Sequence, residues 1–363
     1  MKTILLTLEY PPFYGGVAHY YAHLVKYYPE QIIVMDNQNK ELLDENRKTL
    51  QWLPTINTVK KLLKQEPCHF LIGQILPLGT AVWLLSFWFD FKYTVFLHGT
   101  DFNFAMHTGR KKWLATQILN RADKIIAANT YVAEKVKTII DQKQLGKIKV
   151  VNPGIEPQTY KHDELAIKEL KDKHDLNNKT ILLGIGRLVK RKGFDLVLQG
   201  FKLAIQSNPS LVYVIIGQGV EEQNLCQEIK DLGLDNHVIM VGQVNDQEKQ
   251  LWLQVCDIFI LTSRDIHGDV EGFGIVYLEA NLAGKPVIAG RSGGVTDAVE
   301  DDKNGLLVES ENGTAISLAI LKLAEYPGLR QRLGDEGRQR TLQKFNWSNQ
   351  AQKIYNIIHN LKS

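Results

Sequence analysis

Residues 180–194 of the chain read TILLGIGRLVKRKGF. The first six residues of this stretch form an apolar run typical of a buried parallel strand, and a helical pattern begins at Phe194. Between them lies a loop framed by glycines, with four cations within residues 187–192. A strand, a glycine-containing loop and a helix in this order predict one repeat of a doubly wound α/β sheet.

The same alternation of short apolar runs and longer helical segments extends in both directions from this stretch. Strands are predicted at residues 3–8, 31–35, 70–73, 93–97, 124–128, 148–151, 180–185, 211–216, 238–241, 258–261, 287–289 and 305–308. Residues 328–361 have no strand pattern and are predicted to be helical. Pro153 and Pro157 mark a turn-rich boundary. The pattern therefore predicts two doubly wound domains in tandem, and ligands of such sheets bind at the carboxyl ends of the strands.

Composition narrows the class of protein. The chain has 363 residues, of which 44% are hydrophobic and 23% charged, which fits about two globular domains and excludes disordered and coiled-coil classes. A net charge of +3 gives no support for nucleic-acid binding. Three scattered cysteines fit a reducing compartment, and the most apolar window, residues 75–89, is too short to span a bilayer. We expect a cytoplasmic protein with a buried helix in that window.

The usual cofactor motifs are absent from the sequence. The Gly-Lys pairs at residues 146–147 and 284–285 are followed by Ile148 and Pro286, so neither is a Walker loop. The sequence contains no His-Glu-x-x-His or Gly-x-Ser-x-Gly motif, and its first strand is not followed by Gly-x-Gly-x-x-Gly. We therefore expect no metal ion and no prosthetic group.

Two glycine-containing loops suit an anionic ligand. Gly15 and Gly16 lie between a strand and a helix, where a bare backbone lets a ligand approach the helix N-terminus; an ordinary tight turn is the alternative. In the second domain, Arg187 and Lys192 belong to the cationic loop, and such a loop suits a phosphate or diphosphate. A solvated basic loop is the alternative there.

A pair of carboxylates follows in DVEGFGIVYLEA, at residues 269–280. If a helix begins near Gly274, then Glu271 lies in the preceding loop and Glu279 on the second turn of the helix. The amides of Phe273, Gly274 and Ile275 would then be unsatisfied donors. Such a pair can accept hydrogen bonds from hydroxyl groups at opposite ends of one ligand. Two unrelated acidic residues on the surface are the alternative, because they would give the same sequence pattern.

Taken together, these segments resemble the family 4 glycosyltransferases, which are retaining enzymes of the GT-B fold. The matching pieces are residues 11–17 (PPFYGGV), 98–101 (HGTD), 152–155 (NPGI), 186–188 (GRL), 192–193 (KG), 271–274 (EGFG) with Glu279, 292–295 (SGGV) and 304–308 (NGLLV). Within the family, residues 269–276 are most similar to GDP-mannose-dependent mannosyltransferases. One departure is Thr296-Asp297, where the family usually has Pro-Glu; it bears on the shape of the donor pocket.

The resemblance implies two Rossmann-like domains facing across a cleft. They are an acceptor domain at residues 1–156 and a donor domain at residues 157–345. A C-terminal helix at residues 346–363 is expected to pack back on the first domain.

The resemblance also implies roles for individual residues. The expected catalytic residues are Glu271, Arg187, Lys192 and His98, and the expected donor-binding residues are Gly15, Gly16, Arg187, Lys192, Phe273, Gly274, Ile275 and Glu279. In this assignment the cations neutralise the diphosphate, Glu279 binds the ribose, and Glu271 with the three amides holds the donor sugar. His98 lies on the acceptor side.

The implied activity is retaining transfer of a hexose, with mannose the best candidate, from a nucleotide-diphosphate sugar to a lipid or a glycan. The alternatives are a UDP-sugar-dependent transferase of this family, a sugar-nucleotide epimerase and a non-catalytic nucleotide-sugar-binding protein. Residues 110–113 (RKKW) begin a helix of the first domain and suit peripheral contact with an anionic membrane at its inner face; a solvated helix start is the alternative. Trp83, Phe87, Trp88 and Phe89 are predicted to be core.

Overall fold

The computed structural model describes residues 1–13, 15–44, 46–47, 49–156 and 163–361. The chain divides into two compact units, Met1–Gly154 with Trp347–Ser363, and Ile155–Asn346. The start predicted for the second domain, residue 157, lies outside the described residues.

The first unit contains a parallel six-stranded sheet in the order β2-β1-β3-β4-β5-β6. Its strands are β1 (Lys2–Leu6), β2 (Ile32–Met35), β3 (Cys68–Ile72), β4 (Lys92–Leu97), β5 (Lys124–Ala127) and β6 (Ile148–Val150). Its helices up to residue 154 are α1 (Gly16–Tyr27), α2 (Leu53–Gln65), α3 (Leu78–Leu85), α4 (Thr100–Met106), α5 (Gly109–Arg121) and α6 (Thr130–Lys137), with a 3₁₀ turn at Gln142–Lys147.

The second unit contains another parallel sheet, in the order β12-β11-β10-β7-β8-β9. Its strands are β7 (Thr180–Ile185), β8 (Leu211–Ile216), β9 (Val238–Gly242), β10 (Ile258–Leu261), β11 (Val287–Gly290) and β12 (Gly305–Val308). Its helices are α7 (Glu164–Lys173), α8 (Phe194–Ser207), α9 (Glu222–Asp231), α10 (Asp246–Val255), α11 (Ile275–Leu282), α12 (Val295–Ala298), α13 (Gly313–Glu325) and α14 (Pro327–Lys344).

The α/β class with two doubly wound sheets is confirmed, and its cause is visible in the strands. A parallel strand is covered on both faces by helices, so it is apolar at every position rather than at every second one. The strand β8 shows this, because all six residues of LVYVII are buried. The helix α2 is amphipathic, and its apolar stripe of Ile56, Val59, Leu62 and Leu63 packs on the core of the first unit. The short helix α4 buries only Phe102 and Ala105.

The last helix, α15 (Trp347–His359), belongs to the first unit. It packs against α1, and the rings of Trp347 and Tyr20 lie 5.1 Å apart between centroids. Gly154 of the NPGI segment faces this helix, because a Cβ added there would lie 2.8 Å from the Trp347 ring. The glycine therefore permits the close approach of the chain to α15.

The apolar window at residues 75–89 contains the short helix α3, six of whose eight residues are buried. The prediction that Phe87 and Trp88 are core is wrong: the two residues are 54% and 73% exposed. They follow the end of α3, so they leave the face that the helix presents to the sheet. Across the described ranges, no helix combines the length and the apolar character that a membrane crossing requires.

Candidate active site

The cationic loop after β7 contacts a buried carboxylate. Lys192 Nζ lies 2.5 Å from Glu271 Oε2, and Arg191 Nη1 lies 2.8 Å from the same oxygen. Glu271 is only 8% exposed, and Arg191 Nε also lies 3.3 Å from Asp269 Oδ1. The loop and the segment before α11 are thus joined by one carboxylate shared between two cations.

The charge state of Glu271 follows from this pairing. Burial by itself raises the pKa of the carboxyl, but the charges of Lys192 and Arg191 and their hydrogen bonds outweigh it and hold the pKa below its usual value. Glu271 is therefore an anion at neutral pH. It can accept hydrogen bonds from hydroxyl groups but cannot donate one.

Arg187 lies apart from this ion cluster. It is exposed and lines a cavity of about 290 Å³ at the carboxyl ends of β7, β8 and β9, together with Gln218, Gln243 and Lys249. Within the residues that the structure describes, no carboxylate forms an ion pair with Arg187. Its guanidinium can therefore meet an anionic ligand without first breaking an ion pair.

Glu279 is connected to the same cavity through Lys249. Its Oε1 lies 2.8 Å from Lys249 Nζ, so an ion pair links α11 to α10. Burial tends to lower the pKa of Lys249, but the charge of Glu279 and the hydrogen bond to it raise the pKa above its usual value. Arg187 and Glu279 are therefore brought to one region, with Lys249 as the residue between them.

The three predicted amide donors stand at the start of α11. Gly274 has a φ of 81°, and a Cβ there would lie 2.4 Å from the Tyr277 ring, so this position requires glycine. In the part of the chain that the structure describes, no side chain caps the helix, so the amide of Ile275 can serve a ligand or water. The side chain of Phe273 packs on Phe345, with the ring centroids 5.6 Å apart, so only its backbone is available.

The Ser-Gly-Gly loop at residues 292–294 contacts the backbone of Glu271. The amide of Gly294 donates to the carbonyl of Glu271 over 2.9 Å. Gly293 has a φ of 53°, and a Cβ there would lie 2.5 Å from that carbonyl oxygen. Thr296 and Asp297, the departure from the resemblance, lie one turn further on in α12.

The remaining predicted residues belong to the first unit. Gly16 begins α1 after Gly15, and no side chain among the described residues caps this helix. A Cβ added to Gly16 would meet nothing within 4 Å among the described atoms, so the space beside the helix start is open. An anion can approach the helix amides there.

His98 is held in one tautomer by its neighbour Tyr21. The Tyr21 hydroxyl donates its only proton to the Gly73 carbonyl over 2.8 Å. The contact of 2.9 Å between His98 Nε2 and this hydroxyl is therefore a hydrogen bond donated by the imidazole. Burial lowers the pKa of His98 to about 4, so the ring is neutral at pH 7 and Nδ1 has a free lone pair. The backbone amide of His98 is anchored by Asp101 Oδ1 at 2.9 Å.

Sequence reasoning missed three residues of these clusters. Arg191 stood within the cationic loop but was not separated from its neighbours, because no local signal shows which cation reaches Glu271. Lys249 lies in the first turns of a helix with an ordinary capping box, and nothing in its surroundings points to Glu279. Tyr21 appears in the sequence only as one of several aromatic residues of α1.

Solved structures share this fold over nearly the whole chain. The crystal structure of the Anabaena protein Alr3699/HepE in complex with UDP aligns over 99% of this chain and 100% of that one, with a TM-score of 0.82 and 22% identity. WaaG, a glycosyltransferase involved in lipopolysaccharide biosynthesis, aligns over 98% of this chain and 99% of that one, with a TM-score of 0.67 and 15% identity. The two parallel six-stranded sheets of the chain thus have the GT-B fold of these structures.

A family model described as Glycosyl transferases group 1 matches residues 166–340. The match confirms the resemblance to the glycosyltransferases over this segment, which contains the cationic loop, Glu271 and Glu279.

The relatives include GDP-mannose-dependent mannosyltransferases. The chain is 26% identical to a "GDP-mannose-dependent monoacylated alpha-(1-6)-phosphatidylinositol monomannoside mannosyltransferase" of Corynebacterium glutamicum, over 98% of this chain and 97% of the relative. This chain is also 27% identical, over 67% of its residues, to a GDP-mannose-dependent mannosyltransferase of Mycolicibacterium smegmatis. That alignment spans 63% of the relative, which is less than two thirds of its length.

Proposed function

We propose that the protein transfers a hexose, with mannose as the first candidate, from a nucleotide-diphosphate sugar to a hydroxyl of a lipid or a glycan, with retention at the anomeric carbon. The observation that carries this proposal is the cationic loop at the end of β7. It holds Lys192 against the buried Glu271 and leaves Arg187 unpaired, among the described residues, beside a cavity. A diphosphate needs such cations, and a sugar needs a fixed anionic acceptor of hydrogen bonds.

In the proposed reaction, the bond between the sugar C1 and the diphosphate oxygen breaks, and its electron pair goes to the leaving phosphate. Arg187 and Lys192 stabilise the negative charge that develops there. The acceptor oxygen forms the new bond to C1 from the same face, and its proton goes to an oxygen of the departing diphosphate. The two cations take the place of a metal ion in this scheme.

The other predicted residues hold the donor in this proposal. Glu279, with Lys249, binds the ribose hydroxyls, while Glu271 and the amides of residues 273–275 bind the hydroxyls of the sugar. Gly15 and Gly16 leave room for the diphosphate at the start of α1. The neutral His98 accepts a hydrogen bond through Nδ1 near the acceptor.

The proposal also names the nucleotide sugar that acts as the donor. GDP-mannose is the favoured donor because the Corynebacterium relative, which aligns with 98% of this chain, is named as a GDP-mannose-dependent enzyme. A UDP-sugar donor remains the second candidate, since the Anabaena structure with the same fold contains UDP. We place the protein in the cytoplasm, with its lipid acceptors at the inner face of the membrane.

The test is a thermal-shift measurement with GDP, UDP, ADP and their sugar conjugates, first without metal and then with Mg²⁺. We expect a metal-independent shift with GDP and GDP-mannose alone. A shift with UDP species keeps the enzyme class and replaces the donor, and a requirement for Mg²⁺ contradicts the role given to the two cations. No shift with any nucleotide would overturn the site.

Two further measurements separate the alternatives. Incubation of the donor alone, followed by chromatography of the sugar nucleotide, detects an epimerase, because that reaction needs no acceptor. Release of nucleoside diphosphate that depends on an added lipid or glycan acceptor distinguishes a transferase from a non-catalytic binding protein.

A further inference from the structure

A group of exposed aromatic side chains covers the end of α3 and the start of α5. Phe87, Trp88 and Trp113 are 54%, 73% and 58% exposed. Trp83 connects them, because its ring centroid lies 5.3 Å from that of Phe87 and 6.3 Å from that of Trp113. We call these four residues the aromatic surface.

Cations border the aromatic surface. The helix α5 carries Arg110, Lys111 and Lys112 in its first turn and Arg121 at its end. The Arg121 guanidinium lies 4.3 Å from the centre of the Phe87 ring, and Lys111 Nζ lies 3.5 Å from that of Phe104, which is itself 54% exposed.

The two segments that carry these aromatic rings and cations contain no carboxylate, and Asp90, Asp101 and Asp123 mark their ends. Residues 102–122, which include all of α5, contain no Asp or Glu, and residues 75–89 contain no charged side chain. The exposed aromatic rings are therefore accompanied by positive charge alone along both segments. This differs from an ordinary solvated helix, where charges of both signs alternate.

The chemistry of these residues fits the surface of an anionic bilayer. Tryptophan is favoured at the boundary between headgroups and acyl chains, because its ring is apolar and its N–H is polar. Lysine and arginine next to such rings are attracted by acidic headgroups. A contiguous exposed group of large apolar side chains marks an interaction site rather than a neutral part of the surface.

We propose that the aromatic surface, with the cations of α5, docks the first unit on an anionic lipid bilayer. This inference rests on the proposed function, because a transferase whose acceptor is a lipid must reach the membrane surface. The aromatic rings enter the headgroup region and Lys111 and Lys112 pair with acidic headgroups.

The experiment is co-sedimentation of the full chain with vesicles, in the absence of donor and acceptor. Vesicles of phosphatidylcholine alone are compared with vesicles that contain phosphatidylglycerol. We expect binding to the anionic vesicles only, with loss at high salt and a blue shift of tryptophan fluorescence. Replacing both lysines, as K111Q/K112Q, should weaken binding roughly twentyfold, because each cation near an anionic surface contributes about fivefold.

The control variants are matched to these changes. K168Q/K173Q removes two exposed lysines from α7 in the second unit and should leave vesicle binding unchanged. Trp88→Ser tests the aromatic part, and its 73% exposure means that folding should be preserved, which circular dichroism checks. Trp88→Ser should reduce the fluorescence shift, which Trp113 also produces, and should weaken binding.

Several results would overturn the inference. They are absence of binding to anionic vesicles, equal binding by K111Q/K112Q and the wild type, and a stable dimer in sedimentation equilibrium that Trp88→Ser dissociates. Failure of the proposed function is recognised separately, because donor binding is measured by thermal shift in solution. A protein that binds vesicles but no nucleotide would support the docking surface and contradict the transferase site.

Discussion

At the scale of single residues, the candidate site depends on how two cations and one carboxylate share their charges. Glu271 accepts from both Lys192 and Arg191 through one oxygen, Oε2. Arg187 has no such partner among the described residues. These three of the loop's four cations are therefore unequal, and substitutions at them should have different consequences for stability and for activity.

Arg187→Ala should lower kcat/KM roughly tenfold to a few hundredfold, because each hydrogen bond to a charged group contributes about 1.5–3 kcal/mol. The melting temperature should change little, since the side chain is exposed. Steady-state kinetics with the identified donor and a thermal melt check both expectations. Arg338→Ala, an exposed arginine of α14, is the matched control. An Arg187→Ala enzyme with full activity would remove Arg187 from the site.

Glu271→Gln should affect stability as well as activity, because it leaves two cations without their buried partner. Breaking a buried ion pair on one side costs about 3 kcal/mol or more. The native pKa of Glu271 lies below its value of 4.5 in the unfolded chain, so the stabilisation is full above pH 4.5 and is lost as the pH falls through the native pKa. Urea unfolding of both proteins from pH 7 to pH 3 should show the difference in stability shrinking over this range. A constant difference would contradict the assignment.

Tyr21→Phe should release the imidazole of His98 from a single tautomer. In the wild type at pH 7, nitrogen NMR should find the proton on Nε2 and none on Nδ1, and the ring should stay neutral until about pH 4. Removing the hydroxyl removes the acceptor of Nε2–H, so both tautomers should appear. His237 is an internal control, because its Nδ1 must donate to the Leu211 carbonyl. A protonated Nδ1 on wild-type His98 would contradict the hydrogen-bond direction.

At the scale of elements, glycines decide how closely helices approach the rest of each unit. The helix α15 reaches the first sheet because Gly154 has no side chain opposite Trp347. The helix α11 begins after Gly274, whose positive φ and close approach to the Tyr277 ring require glycine. Each of these two glycines therefore has a steric reason for its place in the sequence.

Gly154→Ala should destabilise the first unit by about 1–3 kcal/mol, the usual cost of forcing an extra carbon into a packed region. The added Cβ would lie 2.8 Å from Trp347, so α15 has to shift. Chemical unfolding followed by tryptophan fluorescence measures the change. Gly146→Ala is the control, because no described atom lies within 4 Å of a Cβ added at Gly146. Equal stability of both variants would show that α15 adapts without cost.

At the scale of the whole molecule, the chain forms two units, and the first one is completed by its last segment. One apolar cluster of that unit combines residues from α1, β1 and β5 with Trp347, Ala351 and Ile354 of α15. The second unit has a separate core that runs across all six of its strands. The two cores thus depend on different parts of the chain.

Deleting residues 347–363 should therefore destabilise the first unit selectively. Hydrogen exchange measured by mass spectrometry should show lost protection in α1 and β1, because their buried apolar residues become exposed. The strand β8 should keep its protection and serves as the internal control. A loss of protection that is equal in both units would contradict separate cores.

Three local patterns carried the predictions made from the sequence. They are the apolar runs of buried parallel strands, the cationic loop and the glycines around helix starts. These patterns need only neighbours along the chain, so the α/β class, the family resemblance and the positions of Lys192 and Glu271 followed from them.

Tertiary structure alone decided which partners meet, such as Arg191 with Glu271 across 80 positions and Lys249 with Glu279. It also decided that Phe87 and Trp88 stay exposed. The reason is physical. Burial and ion pairing depend on which surfaces the folded chain brings together, and an apolar run of sequence does not show which of its residues other elements will bury.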